Sequence, residues 1–289
     1  MDAVTRIERS LTDAINLCTA PETPPRLAAA MRHAVFPRGA RVRPRLCLAV
    51  AAACGDSDPT LTDAAAAAIE LLHCASLVHD DLPCFDDAAL RRGRKSVHRA
   101  FGEPIALLAG DAMIVLAFEI LARKGAPSPA RLPPLLLIIA QAVGVPAGIA
   151  AGQAWECEPR VDLACYQRAK TGALFAAATM AGAASVGRDG ESWRSLGLAI
   201  GEAYQIADDI RDLVGNEMEL GKPVGQDAAH HRPNAAAELG LAGAVARLRS
   251  LTEEAIAIIP PCPGAADLAA IIQSEARRLV PRDLARQAA

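Results

Sequence analysis

Hydrophobic residues recur every three to four positions along most of this chain, which is the spacing of one face of an α-helix. Glycine and proline interrupt the pattern at intervals, for example at Gly55–Pro59 and Gly102–Pro104. Between these interruptions the pattern predicts a series of helices. They cover residues 3–18, 25–34, 42–54, 60–80, 104–123, 129–144, 147–157, 161–184, 191–214, 234–257 and 265–279.

The composition supports a helical protein. Hydrophobic residues make up 52% of the 289 positions, with alanine the most frequent of them, and aromatic residues only 3%. Alanine is the best helix former, whereas strands favour β-branched and aromatic residues. We therefore expect an all-α fold, with one domain over residues 1–289 because no long or low-complexity linker divides the chain. The most apolar helices, 104–123 and 161–184, should lie at its centre.

Charge and cysteine content exclude several classes of protein. The formal net charge of −3 argues against general nucleic-acid binding, which needs a basic surface. None of the eight cysteines forms a CxxC pair, so zinc-binding and thioredoxin-like sites lack their spacing. Residues 1–15 contain no apolar signal core, so we expect the protein in the reducing cytoplasm.

Residues 132–154 are strongly apolar, but Gln141, Pro146 and Gln153 interrupt them. We interpret that stretch as two buried helices and expect no membrane span.

The stretch LVHDDLPCFDDAALRRGR, from Leu77 to Arg94, concentrates charge in an otherwise apolar chain. It contains Asp80, Asp81, Asp86 and Asp87, and then Arg91, Arg92 and Arg94. Carboxylates this close repel one another unless a cation lies among them, and the arginines suit an anion. The stretch therefore predicts a site where a metal ion and a polyanion meet.

The helical repeat and one proline predict the shape of this first cluster. His73 and Ser76 precede Asp80 by seven and four residues, which places all three on one helix face. We expect Pro83 to distort the helix and so to let Asp86 come beside Asp80.

A second acidic cluster lies in YQIADDIRDLVG, residues 204–215. Asp208 and Asp212 share a helix face, and Asp209 adjoins Asp208. Like charges at this spacing destabilise an isolated helix. One such pair is most often a solvated surface, but its apolar flanks and the presence of two clusters favour a metal site. Oxygen-only ligands suit Mg²⁺ together with substrate phosphates.

Basic residues occur in several short groups that could bind phosphate oxygens. Besides the run after the first cluster, these groups comprise Arg38, Arg41, Arg43, Lys170 with Thr171, and Lys222. The chain has neither a Walker loop nor a GxGxxG motif, so nothing predicts a nucleotide-type phosphate loop.

Taken in order, these motifs resemble those of the trans-isoprenyl diphosphate synthases, the polyprenyl synthetase family. DDxxxxD runs from Asp80 to Asp86 and is followed by Arg91-Arg92-Gly93. Lys170-Thr171-Gly172 comes next, and then DDxxD from Asp208 to Asp212, preceded by Gln205. The resemblance covers almost the whole chain. Residues 73–94 are most similar to geranylgeranyl diphosphate synthases of photosynthetic bacteria that make carotenoids.

The resemblance implies a homodimer of helical bundles, each around a deep central cavity, that binds two or three Mg²⁺ ions. The implied metal ligands are Asp80, Asp86 and Asp208. The implied catalytic residues are Asp80, Asp81, Asp86, Arg91, Lys170, Asp208, Asp209 and Asp212. The allylic diphosphate would be bound by Arg91, Lys170, Thr171, Gln205 and Lys222. Isopentenyl diphosphate would be bound by Arg43, His73 and Arg92, with Arg41 as a further candidate.

Two positions depart from the family pattern. Ala40 stands where the family usually has a lysine that contacts isopentenyl diphosphate, so either Arg38 or Arg41 replaces it or binding is weaker. Lys95 stands where proline is common. Both departures concern affinity rather than the reaction.

The implied reaction joins isopentenyl diphosphate to an allylic diphosphate (dimethylallyl, geranyl or farnesyl). Ala75 and Ser76, five and four residues before the first aspartate, would gauge product length; because both are small, we expect twenty carbons, with fifteen as the alternative. Met113, Leu116 or Phe118 could form the cavity floor. A class I terpene cyclase is disfavoured by the second DDxxD motif and the few aromatic residues. A non-catalytic regulatory subunit is disfavoured because both acidic motifs are intact.

Overall fold

The first half of the chain forms six helices and one small hairpin within its described residues. A computed structural model describes residues 2–36, 39–214 and 235–279. Its first elements are α1 (Ala3–Leu17), α2 (Pro25–Val35), α3 (Val42–Ala53), α4 (Pro59–Asp80), β1 (Leu90–Arg91), β2 (Arg94–Lys95), α5 (Val97–Phe101) and α6 (Glu103–Gly125).

The second half is helical throughout its described residues. It comprises α7 (Leu132–Val143), α8 (Ile149–Trp155), α9 (Leu163–Gln167), a π-helix (Arg168–Gly172), α10 (Ala173–Ser185), a 3₁₀ turn (Glu191–Trp193), α11 (Arg194–Val214), α12 (Ala235–Ala257) and α13 (Ala265–Leu279). Within the described residues β1 and β2 are the only strands, and the prediction of an all-α fold is confirmed. The division of residues 132–154 into two helices is also confirmed.

The predicted single helix over 161–184 is wrong, because a π-helix separates α9 from α10. A π-helix takes up one more residue per turn than an α-helix, and such insertions are frequent at functional sites. Here the π-helix carries Lys170 and Thr171. The backbone of α8 lies directly against it, since a Cβ on Gly152 would overlap the backbone of Lys170.

Helices α4 and α10 form the centre of the bundle. Asp58 caps α4, Pro59 occupies its first turn, and every residue from Leu61 to Leu72 is buried. Every residue of α10 after Ala173 is buried as well. By length and composition alone α4 and α6 could each cross a membrane, and 83% of the relevant window of α4 is buried inside the protein. The burial of α4 is that of a core helix.

Helix α6 does not lie at the centre, contrary to the prediction for residues 104–123. The helix packs on α4, and its Met113 and Leu116 are buried. Leu107, Leu108 and Val115 are exposed, the last by 65%. The helix is apolar on both sides, and hydropathy alone does not distinguish a buried helix from one with a second apolar surface.

Helices α10 and α11 approach closely at Gly197. A Cβ there would lie 2.5 Å from the carbonyl oxygen of Phe175 and 2.5 Å from Oγ1 of Thr179. Because real Cβ atoms do not approach so closely, only glycine permits this crossing.

We expect Gly197→Ala to lower the free energy of unfolding by about 1–3 kcal/mol, as overpacking of a filled core does. Chemical denaturation measures the change. Gly243→Ala in α12 is the matched control: its new Cβ would meet only the Leu239 side chain, and alanine favours a helix interior by up to about 1 kcal/mol. Equal effects of the two substitutions would contradict the close crossing.

Candidate active site

A cleft of about 400 Å³ gathers most of the predicted site residues. Its walls come from α4, the hairpin, the π-helix, α11 and the segment before α3. The predicted residues on its lining are Arg41, Arg43, His73, Ser76, Asp80, Arg91, Arg92, Lys170, Thr171, Gln205 and Asp208. The side chain of Asp212 and all of Lys222 and Arg38 lie outside the described residues.

The first acidic motif folds back on itself at the end of α4. The helix ends at Asp80, three residues before Pro83, and the N–H of Asp86 donates to the carbonyl oxygen of Asp80 at 3.0 Å. Carboxylate oxygens of Asp80, Asp86 and Glu156 lie within 4.8 Å of one another. The predicted approach of Asp86 to Asp80 is therefore confirmed, although it follows from the end of the helix rather than from its distortion.

Glu156, directly after α8, was not identified from the sequence. Its carboxylate accepts hydrogen bonds from the Tyr166 hydroxyl at 2.6 Å, from Gln153 Nε2 at 3.0 Å and from Lys170 Nζ at 2.6 Å. The available signal was a polar pair three residues apart, Gln153 and Glu156, in a largely apolar region.

The donor set of Asp80, Asp86 and Glu156 fits a hard divalent cation. All three donors are oxygen atoms, which Mg²⁺ prefers, and their spacing allows a shared ion. The ammonium of Lys170 lies beside the same oxygens, 3.2 Å from Asp80 Oδ1, so the group attracts positive charge. Asp208 lines the same cleft outside this group, and its Oδ1 lies 3.4 Å from Arg211 Nη2.

Asp81 and Asp209, the second aspartates of the two motifs, are both almost fully buried and support other side chains. Asp81 accepts from Arg91 Nε at 2.9 Å; burial raises the pKa of its carboxyl, and this bond opposes the rise. Asp209 accepts from Gln205 Nε2 at 2.9 Å, and Gln205 Oε1 accepts from the Thr171 hydroxyl at 3.0 Å. These aspartates hold neighbouring side chains in place.

The hairpin, which the sequence analysis did not predict, delivers two arginines to the cleft. Arg91 pairs with Arg94 across the strands, and Arg92 and Gly93 form the two-residue turn with φ of 53° and 73°. Positive φ at both positions is typical of a type I′ hairpin turn. The Arg92 guanidinium lies over Gly39, where a Cβ would be 2.7 Å from its Cζ. Its Nη1 is buried and has no hydrogen-bond partner among the described residues.

Arg43 and His73 lie beside Arg92 on the same side of the cleft. The guanidinium of Arg43 stacks on the Phe175 ring at 4.4 Å from its centre, and its buried Nε has no partner within the described part of the chain. Burial, and next the charge of Arg43, hold the pKa of His73 well below its usual range. Two unpaired guanidinium N–H groups and a neutral imidazole thus form a receptor for an anion.

Arg41 lines the cleft, but its guanidinium is engaged by groups inside the protein. Its guanidinium donates to Glu8 at 3.0 Å, to Glu70 at 2.6 Å and to the carbonyl oxygen of Val35 at 2.9 Å. The side chain is only 2% exposed. Because three of its donors are used inside the protein, this geometry argues against Arg41 as a substrate ligand or as a replacement for the lysine missing at Ala40.

The two expected gauges of product length differ in position. Ser76 lines the cleft, and its hydroxyl donates to the carbonyl oxygen of His73 at 2.9 Å. Ala75 is fully buried and is not part of that lining, since adjacent helical residues point about 100° apart. Of the two, only Ser76 faces the cleft directly.

Comparison with known proteins matches this geometry to one family. The polyprenyl synthetase family model matches residues 24–258. The geranylgeranyl diphosphate synthase of Cereibacter sphaeroides is 53% identical over 97% of both chains, and the farnesyl diphosphate synthase of Geobacillus stearothermophilus is 38% identical over 78% of this chain and 80% of its own.

A solved structure agrees with the sequence comparison. The geranyltransferase of Helicobacter pylori, complexed with magnesium and isoprenyl diphosphate, superposes with a TM-score of 0.81 at 29% identity, covering 94% of this chain and 95% of that one. Sequence and fold therefore agree, and the chain belongs to the polyprenyl synthetase family of prenyltransferases.

Proposed function

We propose that this protein is a Mg²⁺-dependent geranylgeranyl diphosphate synthase. It would condense isopentenyl diphosphate with an allylic diphosphate (dimethylallyl, geranyl or farnesyl) and release diphosphate. The observation that carries the proposal is the division of one cleft into two anion sites. Asp80 on the cleft, with the adjoining Asp86 and Glu156, suits metal ions that bind one diphosphate. Arg43 and Arg92 line the cleft as well, and each carries a buried donor that is left for another.

The acidic side would bind the allylic diphosphate. Asp80, Asp86 and Asp208 would hold two or three Mg²⁺ ions, which supply Lewis-acid stabilisation of the leaving group when bound. Lys170 Nζ, now on Asp80 and Glu156, can turn onto a diphosphate oxygen. Further contacts would come from Arg91, Thr171, Gln205 and Lys222.

The basic side would bind isopentenyl diphosphate through Arg43, Arg92 and His73. Cleavage of the allylic C–O bond gives an allylic cation and diphosphate. The double bond of isopentenyl diphosphate attacks the cation, and the proton then lost passes to the departing diphosphate. His73, kept neutral by its surroundings, serves as a hydrogen-bond donor rather than a base. Apolar side chains on the cleft exclude water from the cation; they are Val42, Leu77, Ile149 and Leu174.

The twenty-carbon product is supported by the small residue on the cleft wall and by the relatives. Ser76 leaves room beside the helix below Asp80. Met113 and Leu116, both buried on α6, are candidates for the floor. The synthases of Cereibacter sphaeroides and Rhodobacter capsulatus, at 53% and 51% identity, are named for the twenty-carbon product. A fifteen-carbon product, named for the Geobacillus relative, is the alternative.

We further propose a cytoplasmic homodimer, with residues 1–289 as one domain, that supplies a precursor for longer isoprenoids such as carotenoids. The exposed apolar face of α6, with Leu107, Leu108 and Val115, supports a contact between subunits. All eight cysteines are free thiols, as in a reducing compartment.

We expect Asp80→Asn to lower kcat by roughly 10²–10³-fold. The substitution removes a carboxylate charge that would hold Mg²⁺ beside the leaving group. Excess EDTA should abolish turnover of the unaltered protein, and added Mg²⁺ should restore it. A coupled diphosphate-release assay measures both effects. Asp13→Asn, which alters an exposed carboxylate on α1, is the control and should keep full activity. Turnover that survives EDTA would refute the metal assignment.

We expect Ser76→Phe to shift the product from twenty to fifteen carbons, because the ring would fill the space beside α4. Mass spectrometry of the products after incubation with isopentenyl and dimethylallyl diphosphates shows the change. Ser76→Ala should keep the twenty-carbon product. If the phenylalanine variant is active and still makes twenty carbons, the growing chain does not pass Ser76.

We expect Leu108→Glu to convert a dimer into monomers, since a charge would be buried in the proposed subunit contact. Light scattering coupled to size exclusion gives the mass in solution. Leu239→Glu, at a leucine of similar exposure on α12, is the control and should leave the mass unchanged. A monomeric unaltered protein, or no effect of the α6 substitution, would overturn this part of the proposal.

A further inference from the structure

Arg94 joins the hairpin to helix α2. Its Nη1 donates to the carbonyl oxygen of Phe36 at 2.9 Å, and its Nη2 donates to Nδ1 of His33 at 3.0 Å. The other ring nitrogen of His33, Nε2, lies 2.8 Å from the carbonyl oxygen of Lys95. We call Arg94 and His33 together the hairpin clamp.

One tautomer of the His33 ring satisfies every hydrogen bond of the hairpin clamp. A guanidinium can only donate, so Nδ1 must accept from Arg94. The ring proton is then on Nε2, where it donates to Lys95. The ring also packs edge-on against Phe101, with ring centres 5.4 Å apart. The clamp is therefore a set of matched donors and acceptors.

The hairpin needs an external support. Each strand has two residues, and even a longer two-stranded hairpin is marginally stable alone in water. Arg94 lies directly opposite Arg91, and only Arg92 and Gly93 connect them. Because the turn has no spare residue, fixing the second strand also fixes the direction of Arg92.

The two arginines that the hairpin carries differ in their other supports. Arg91 is held independently by the buried carboxylate of Asp81. Arg92 lies over Gly39 with Nη2 3.7 Å from Glu70, a longer ion-pair distance, and with Nη1 buried and unpaired in the described part of the protein. The position of the Arg92 side chain thus depends more strongly on the backbone of the turn than that of Arg91 does.

We propose that Arg94, acting through the hairpin clamp, is a positioning residue for isopentenyl diphosphate. It does not touch the substrate but holds the turn so that Nη1 of Arg92 points into the basic side of the cleft. This inference rests on the proposed function. It gains weight in this chain because Ala40 supplies no cation and Arg41 is engaged by Glu8 and Glu70.

The test compares Arg94→Ala with Arg26→Ala. Arg26 makes a similar exposed bond, from α2 to the carbonyl oxygen of Phe101 at 2.7 Å, and that bond does not involve the hairpin. We expect Arg94→Ala to raise the KM for isopentenyl diphosphate roughly tenfold, which corresponds to about 1.4 kcal/mol. The KM for the allylic substrate, and kcat at saturation, should stay within about twofold of the unaltered values because Asp81 still holds Arg91. Arg26→Ala should change none of the three.

A readout besides turnover is the Kd for isopentenyl diphosphate, measured by calorimetry without allylic substrate. We expect the same weakening there, with an intermediate value for Arg94→Lys, which can keep one of the two bonds. If Arg94→Ala does not fold, the lysine variant decides. An unchanged Kd and KM in an active protein, or equal changes in the Arg26 control, would overturn the clamp and leave the proposed function intact. Failure of the unaltered protein to form any prenyl product would instead refute the proposed function.

Discussion

The rest of the site depends on one electrostatic constraint, the repulsion among its clustered carboxylates. The ammonium of Lys170 lies between Asp80 and Glu156 and offsets that repulsion. Carboxylates concentrated at the end of an apolar helix repel one another, and a positive charge placed among them offsets that repulsion. The π-helix brings Lys170 to this point, and Gly152 lets α8 lie against the π-helix so that Glu156 follows. Much of the local architecture can be understood as the supply of cations to this acidic group.

The separation of like charges also divides the cleft into an acidic side and a basic side. Carboxylates that suit a metal ion lie on one side, while Arg43 and Arg92 with unpaired donors lie on the other. Buried donors such as Arg43 Nε and Arg92 Nη1 are rarely left without a partner, and a bound anion would supply one. In the proposed function two diphosphates, one bound through metal ions and one bound directly, would suit both sides. Their reacting carbons would then lie next to each other between apolar walls, which favours bond formation over reaction with water.

Sequence reasoning succeeded where one local rule controls the outcome. Helical periodicity located most helices, and the approach of Asp86 to Asp80 was predicted, although the end of α4 rather than a distortion at Pro83 produces it. It failed where contacts distant along the chain decide. The fate of Arg41 depends on Glu8 and Glu70, 33 and 29 residues away. Strands of two residues, such as those of the hairpin, are too short for any periodicity. Glu156 belongs to no motif that we recognised, and the outward face of α6 is as apolar as its inward face.

The most direct measurement of the central claim is a crystal structure with Mn²⁺, an allylic thiolodiphosphate and isopentenyl diphosphate. The account predicts anomalous scattering from Mn²⁺ at Asp80 and Asp86, and Nζ of Lys170 moved from Asp80 to an oxygen of the allylic diphosphate. Isopentenyl diphosphate should accept hydrogen bonds from Nη1 of Arg92 and Nε of Arg43. Lys170 still paired with Asp80, no metal at the carboxylates, or isopentenyl diphosphate bound away from both arginines would contradict it.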